Sequence, residues 1–117
     1  MIDFIDTGSL ERVSLGQGLG KETEVVGPDR CGAKNVRGLL RWLETGEGIE
    51  ARPMPDSHQL LYILEGEGVF HLEGKDYPAD PGAGLYLGPG EGARLSQAGS
   101  AALKVFHLAV PPPQQDF

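Results

Sequence analysis

The chain has one cysteine, Cys31, in 117 residues. No disulfide can form within it, and a reducing cytoplasm is the expected setting. Basic residues are few: 10 Lys and Arg stand against 17 Asp and Glu, for a net charge of -7. No run of lysines or arginines is interleaved with aromatics, so affinity for a phosphate backbone or an anionic lipid surface has no electrostatic source. Nucleic acid and membrane are therefore not expected as partners. No apolar run approaches the ~20 residues of a membrane span. The opening "MIDFIDTGSLERV" also lacks the basic start and apolar core of a signal peptide.

What the chain has in excess is punctuation. Eighteen glycines and nine prolines favour short elements joined by tight turns over long helices, which predicts an all-β protein. One domain of this length buries about 65% of its unfolded surface, enough for a real core. Residues 1–30 are acidic, with "LERVSL" and "ETEVV" as strand candidates around the "GQGLG" turn, and are expected to form an arm packing on the barrel or a partner. "VRGLLRWL" alternates as a strand with one polar-rimmed face, Gly38 counting against a helix. After the proline-rich connection "TGEGIEARPMPDS", the runs "HQLLYIL", "VFHL", "LYL" and "AALKVFHLAV" recur at the spacing of sandwiches and small barrels. The domain proper is read as residues 31–111, with 112–117 as a tail.

The stretch "PDSHQLLYILEGEGVFHLEG" and the later "GPGEGARL" carry a resemblance to the cupin family, small jelly-roll β-barrels. It covers roughly residues 32–111. In that family a first motif places two histidines one residue apart, then a glutamate, then a glycine seven residues on. Counting back from Gly66 puts Gln59 at the glutamate position, and "RPMP" where the histidines would fall. In the second motif the histidine-equivalent place after Pro89 goes to Arg94. The resemblance thus implies the fold without its usual divalent metal, since a guanidinium has no lone pair to offer and stays protonated. No cofactor is expected. A metal held by a shifted set of His58 and Asp56 with His107 or His71 is the weaker alternative.

Side chains alternate along a strand, so Leu61 and Ile63 should share the inward face with Gln59. On the last strand an outward Lys104 would turn Val105, His107 and Ala109 inward. Phe70 and Leu72 are expected to take the core side, leaving His71 outside. Arg94, one of three basic residues after His58, is expected at the barrel mouth as an anchor for a carboxylate or phosphate. Gln59, Leu61 and Ile63 would line the ligand, and His107 or Tyr86 would move a proton. Each also has a structural reading: a capping arginine, an amide satisfied by backbone, a packed barrel histidine, an outward tyrosine.

Two functions follow. One is a metal-independent isomerase or lyase acting on a small anionic or hydroxylated metabolite. The other is a binding or sensory module without chemistry. The resemblance also implies a homodimer paired through an N-terminal edge strand, for which a bare edge is a natural template.

Overall fold

A computed structural model describes residues 4–112 of the chain. Ten strands form two antiparallel sheets: β1 (Val13–Ser14), β2 (Lys21–Val26), β3 (Arg37–Leu43), β4 (Gly48–Ala51), β5 (His58–Glu65), β6 (Glu67–Leu72), β7 (Lys75–Ala79), β8 (Gly84–Leu87), β9 (Ala93–Ala98) and β10 (Leu103–Val110). The larger sheet runs β1-β2-β3-β10-β5-β8 and the smaller β4-β9-β6-β7. Among the described residues helix is confined to a 3-10 turn at Thr7–Ser9 and one turn, α1, at Pro28–Cys31. No helix among the described residues is long and apolar enough to cross a membrane.

The two sheets face each other as the halves of a jelly roll, and one apolar cluster joins them. Leu43, Leu61, Ile63, Leu87, Leu103 and Val105 come from the larger sheet; Ile49, Ala51, Phe70, Ala79, Ala93 and Leu95 come from the smaller. Period-two alternation produces this on strand after strand. In β5, Gln59, Leu61 and Ile63 are buried while His58, Tyr62 and Leu64 are exposed. In β10, Val105, His107 and Ala109 are buried with only partly covered residues between them.

β3 departs from simple alternation because both of its faces are covered. Leu39, Arg41 and Leu43 point into the barrel, and Leu40 and Trp42 are also buried on the other side. There the Arg12 guanidinium lies 4.0 Å from the Trp42 ring centroid, and Thr23 Oγ1 donates to the Glu11 carbonyl at 2.7 Å. The arm's β1 pairs with β2 of its own chain, and β2 pairs with β3, so residues 21–26 belong to the larger sheet. Gly38 is required by close approach: a Cβ there would lie 2.8 Å from Val26 Cγ1 and 2.9 Å from the Phe106 ring.

Two elements escaped the sequence reading. β4 is four residues long, and only Ile49 and Ala51 mark its inward face. α1 starts on a proline and ends at Gly32 in the left-handed region, a capping pattern too short to show as periodicity. The expected "EGEG" turn contracts to Gly66, at φ +85°, between β5 and β6. Pro78 lies on β7, an edge strand of the smaller sheet, where a missing N–H costs no ladder bond to a further neighbour. Of the expected tail, residues 113–117 lie outside the described residues.

Candidate ligand-binding site

Three adjacent strands, β3, β10 and β5, place polar side chains inside the barrel. His107 sits between Leu39 on one side and Leu61 on the other, and Gln59 lies opposite Ala109. The histidine is 0% exposed and Gln59 2%. The Gln59 amide nitrogen donates to the Arg52 carbonyl at 2.9 Å, which fixes the amide's orientation. Its oxygen can only accept, so His107 Nε2–H is the donor in their 2.8 Å contact. Burial in the barrel, and secondarily the Arg41 charge, lower the His107 pKa to about 3. At neutral pH it is therefore an uncharged imidazole and a weak base. Gln59 and His107 form a sealed polar plug, in which the Gln59 amide is matched on both sides by His107 and the Arg52 carbonyl.

Above that plug is a charged mouth. Arg41 points inward between Leu39 and Leu43, is 4% exposed, and has Glu22 as its cross-strand neighbour, with Nη2 3.8 Å from Glu22 Oε2. It lines a cavity of about 380 Å³ with Arg52 as a second cation and Glu22 and Glu50 as acids. Leu15 and Leu19 of the N-terminal segment and Ile49 of β4 supply apolar walls. An apolar pocket with a few fixed charged groups suits a small molecule better than a macromolecular surface. A guanidinium in such a site can take a carboxylate or phosphate in bidentate fashion.

Several expectations are corrected by this arrangement. Arg94 does not point into the barrel: Ala93 and Leu95 take the inward positions of β9, and Arg94 is exposed on the outer face beside His71 and Glu50. Strand parity on β9 decides this. Tyr86 is 60% exposed on the outer face of β8, where its hydroxyl meets His58 Nδ1 and the two rings stack at 5.9 Å and 24°. It cannot pass a proton inside the barrel. Leu61 and Ile63 face inward as expected, but they are packed into the apolar cluster and do not border the mouth cavity.

The shifted metal set is not assembled either. His58 and Asp56 are exposed, His107 is buried on the opposite face of the larger sheet, and His71 lies on the smaller sheet. Among the described residues no group of three or more His, Cys, Asp or Glu could hold a metal ion. The donor chemistry of the interior also fails the family's usual ion. Gln59 already spends its oxygen on His107, and the Arg41 cation acts on the same imidazole. These residues do not fit a divalent metal.

Arg41 itself was missed as a site residue. Its signal was present in "RGLLRWL", where alternation sets it on one face with Leu39 and Leu43. An arginine flanked by buried leucines was read as a polar rim, whereas both faces of β3 are covered.

Two facing sheets closed over a shared core, with a polar group at one end, define a class: the chain is a cupin barrel. More narrowly, residues 40–116 match the AraC-like ligand-binding domain, and the chain belongs to that family. Among similar solved structures is a protein described as a predicted oxalate decarboxylase from Thermotoga maritima, at 23% identity and TM-score 0.79, with 94% of this chain and 100% of that one covered. Another is a cupin-superfamily sugar phosphate isomerase from Silicibacter pomeroyi, at 18% identity and TM-score 0.81, covering 95% and 77%. KdgF from Halomonas sp. is similar at 15% identity and TM-score 0.78, covering 97% of each chain. At these identities the likeness is one of fold. No curated protein sequence matches the chain.

Proposed function

We propose that this chain is a binding domain for a small anionic, hydroxylated metabolite held at the barrel mouth. The observation that carries the reading is the inward Arg41, set in a cavity with apolar walls and a second arginine. Arg41 takes the anionic group, Arg52 adds charge at the rim, and Glu22 and Glu50 accept hydrogen bonds from hydroxyls. The match to a ligand-binding domain family supports the same reading. The ligand class extends to sugar phosphates, the kind of compound named for one similar structure.

The catalytic alternative, isomerase or lyase chemistry without a metal, is the weaker of the two. It needs a group that exchanges protons near neutral pH in contact with the ligand. His107 is sealed and too weakly basic, and Tyr86 is outside. Pairing of two copies through the N-terminal arm is carried as part of the proposal: β1 is an exposed two-residue edge strand. Sedimentation should then give about twice the 12.5 kDa chain mass, and a monomer across the micromolar range would refute the pairing.

Ligand-dependent melting in a chelating buffer tests the binding function, using a panel of sugar phosphates, 2-keto acids and short dicarboxylates. A true ligand at about a hundred times its Kd should add about 2.7 kcal/mol, or roughly 10 °C for a domain of this size. A panel that leaves the melting temperature unmoved would count against the proposal.

A further inference from the structure

The outer face of the smaller sheet holds a cluster that the barrel mouth does not use. His71 on β6 stands between Asp76 on β7, its partner in register, and Ser96 on β9. Its Nδ1 is 2.7 Å from Asp76 Oδ1 and its Nε2 is 2.9 Å from Ser96 Oγ. A carboxylate only accepts, so Nδ1 carries the hydrogen and Nε2 presents its lone pair to the serine hydroxyl. Serine, imidazole and carboxylate thus lie in the order, and at the spacings, of an activated nucleophile with its base and the group that orients the base.

The surroundings leave room for a reactant. Arg94 is directly opposite His71 in register and, with Ser96, lines an outer cavity of about 380 Å³. Gly48 is Ser96's partner on β4, where a Cβ would stand 2.9 Å from the Leu95 carbonyl and in ordinary contact, at 3.7 Å, with Ser96 Oγ. Glu47 and Glu50 on the same cavity wall disfavour a substrate bearing further negative charge.

We propose that Ser96 is a nucleophile and that this face hydrolyses small, uncharged carboxylic esters. Ser96 Oγ attacks the ester carbonyl carbon while its proton passes to His71 Nε2. The carbonyl oxygen takes up the negative charge against the Arg94 guanidinium. The C–O bond to the alcohol breaks, and His71 returns the proton to the departing alkoxide, leaving Ser96 acylated. Water, deprotonated by His71, then attacks the acyl carbon; the acid leaves and the proton goes back to Ser96. No oxidant, reductant or metal enters. Asp76 acts as a positioning residue, holding the imidazole in the tautomer that leaves Nε2 free to accept. The proposal does not rest on ligand binding at the barrel mouth, although Leu19, Ile49 and Glu50 border both cavities.

The test uses p-nitrophenyl acetate and a small fluorophosphonate with the full chain. The expected result is a burst of about one equivalent of p-nitrophenol per chain and a single phosphonyl adduct on Ser96 by peptide mass. Ser96→Ala should abolish both, and His71→Gln should slow acylation about 100-fold or more while circular dichroism stays unchanged. Asp76→Asn should slow the burst and Asp76→Glu should restore part of it, which a merely structural staple between strands would not do. Absence of a burst, labelling no faster than at the exposed Ser100, or equal rates in wild type and His71→Gln would each overturn the proposal.

Discussion

Between pH 6.5 and about pH 4.5 the fold is expected to lose about 2 kcal/mol of stability to one side chain, His107. Its burial holds the folded pKa near 3, against 6.5 for the free imidazole. Below pH 6.5 the unfolded chain therefore binds a proton there that the folded chain refuses. Well below pH 6.5 each further pH unit costs about 1.4 kcal/mol, and above pH 6.5 the penalty vanishes. Against a total of about 5–15 kcal/mol for a typical domain, this is a large share. Urea unfolding of wild type and His107→Gln at about pH 7, 5.5 and 4.5 isolates the term, because glutamine keeps a donor for the Gln59 oxygen and does not titrate. The wild-type stability should fall toward that of the variant, or below it, as the pH drops. Parallel lines would show that His107 is not held neutral by the fold.

Arg41→Gln is expected to weaken binding of an anionic metabolite at the mouth by about 100-fold, close to 2.7 kcal/mol. The loss is large because a ligand anion drawn into a partly apolar cavity gives up water and needs a charged partner in return. Arg41→Lys should recover only part of it, since an ammonium offers a point charge where the guanidinium offers a planar pair of donors. Lys104→Gln removes the same unit of charge from the outer face, where Lys104 lies 3.7 Å from Glu65, and should leave affinity unchanged. Equal affinities for wild type and Arg41→Gln, by titration calorimetry with the best ligand from the melting panel, would remove Arg41 from the site.

Much of the fold was legible because β5 and β10 obey simple alternation. Gln59, Leu61 and Ile63, and Val105, His107 and Ala109, face inward as their spacing requires. The "GQGLG" turn also fell where expected, between β1 and β2. The site was less legible, for two physical reasons. Arg94 was assigned by counting from Pro89, and a one-residue offset on a strand transfers a side chain to the opposite face. Arg41 was hidden because β3 is covered on both sides, so its pattern of mostly apolar residues gives no cue to which polar residue lies inside. The Gln59–His107 contact joins residues 48 positions apart, and the His71–Ser96 contact joins residues 25 apart. Neither could be inferred without the strand order.

The chain is small enough for residue-by-residue nuclear magnetic resonance, and a titration with a sugar phosphate in chelator tests the mouth site most directly. The largest shift changes should fall on Arg41, including its side-chain Nε–H, and on Glu22, Arg52 and Leu15, which border the mouth cavity. The outer face around Tyr86 and Tyr62 should stay still. Changes confined to that outer face, or none at ligand concentrations in the millimolar range, would contradict a barrel mouth built around Arg41.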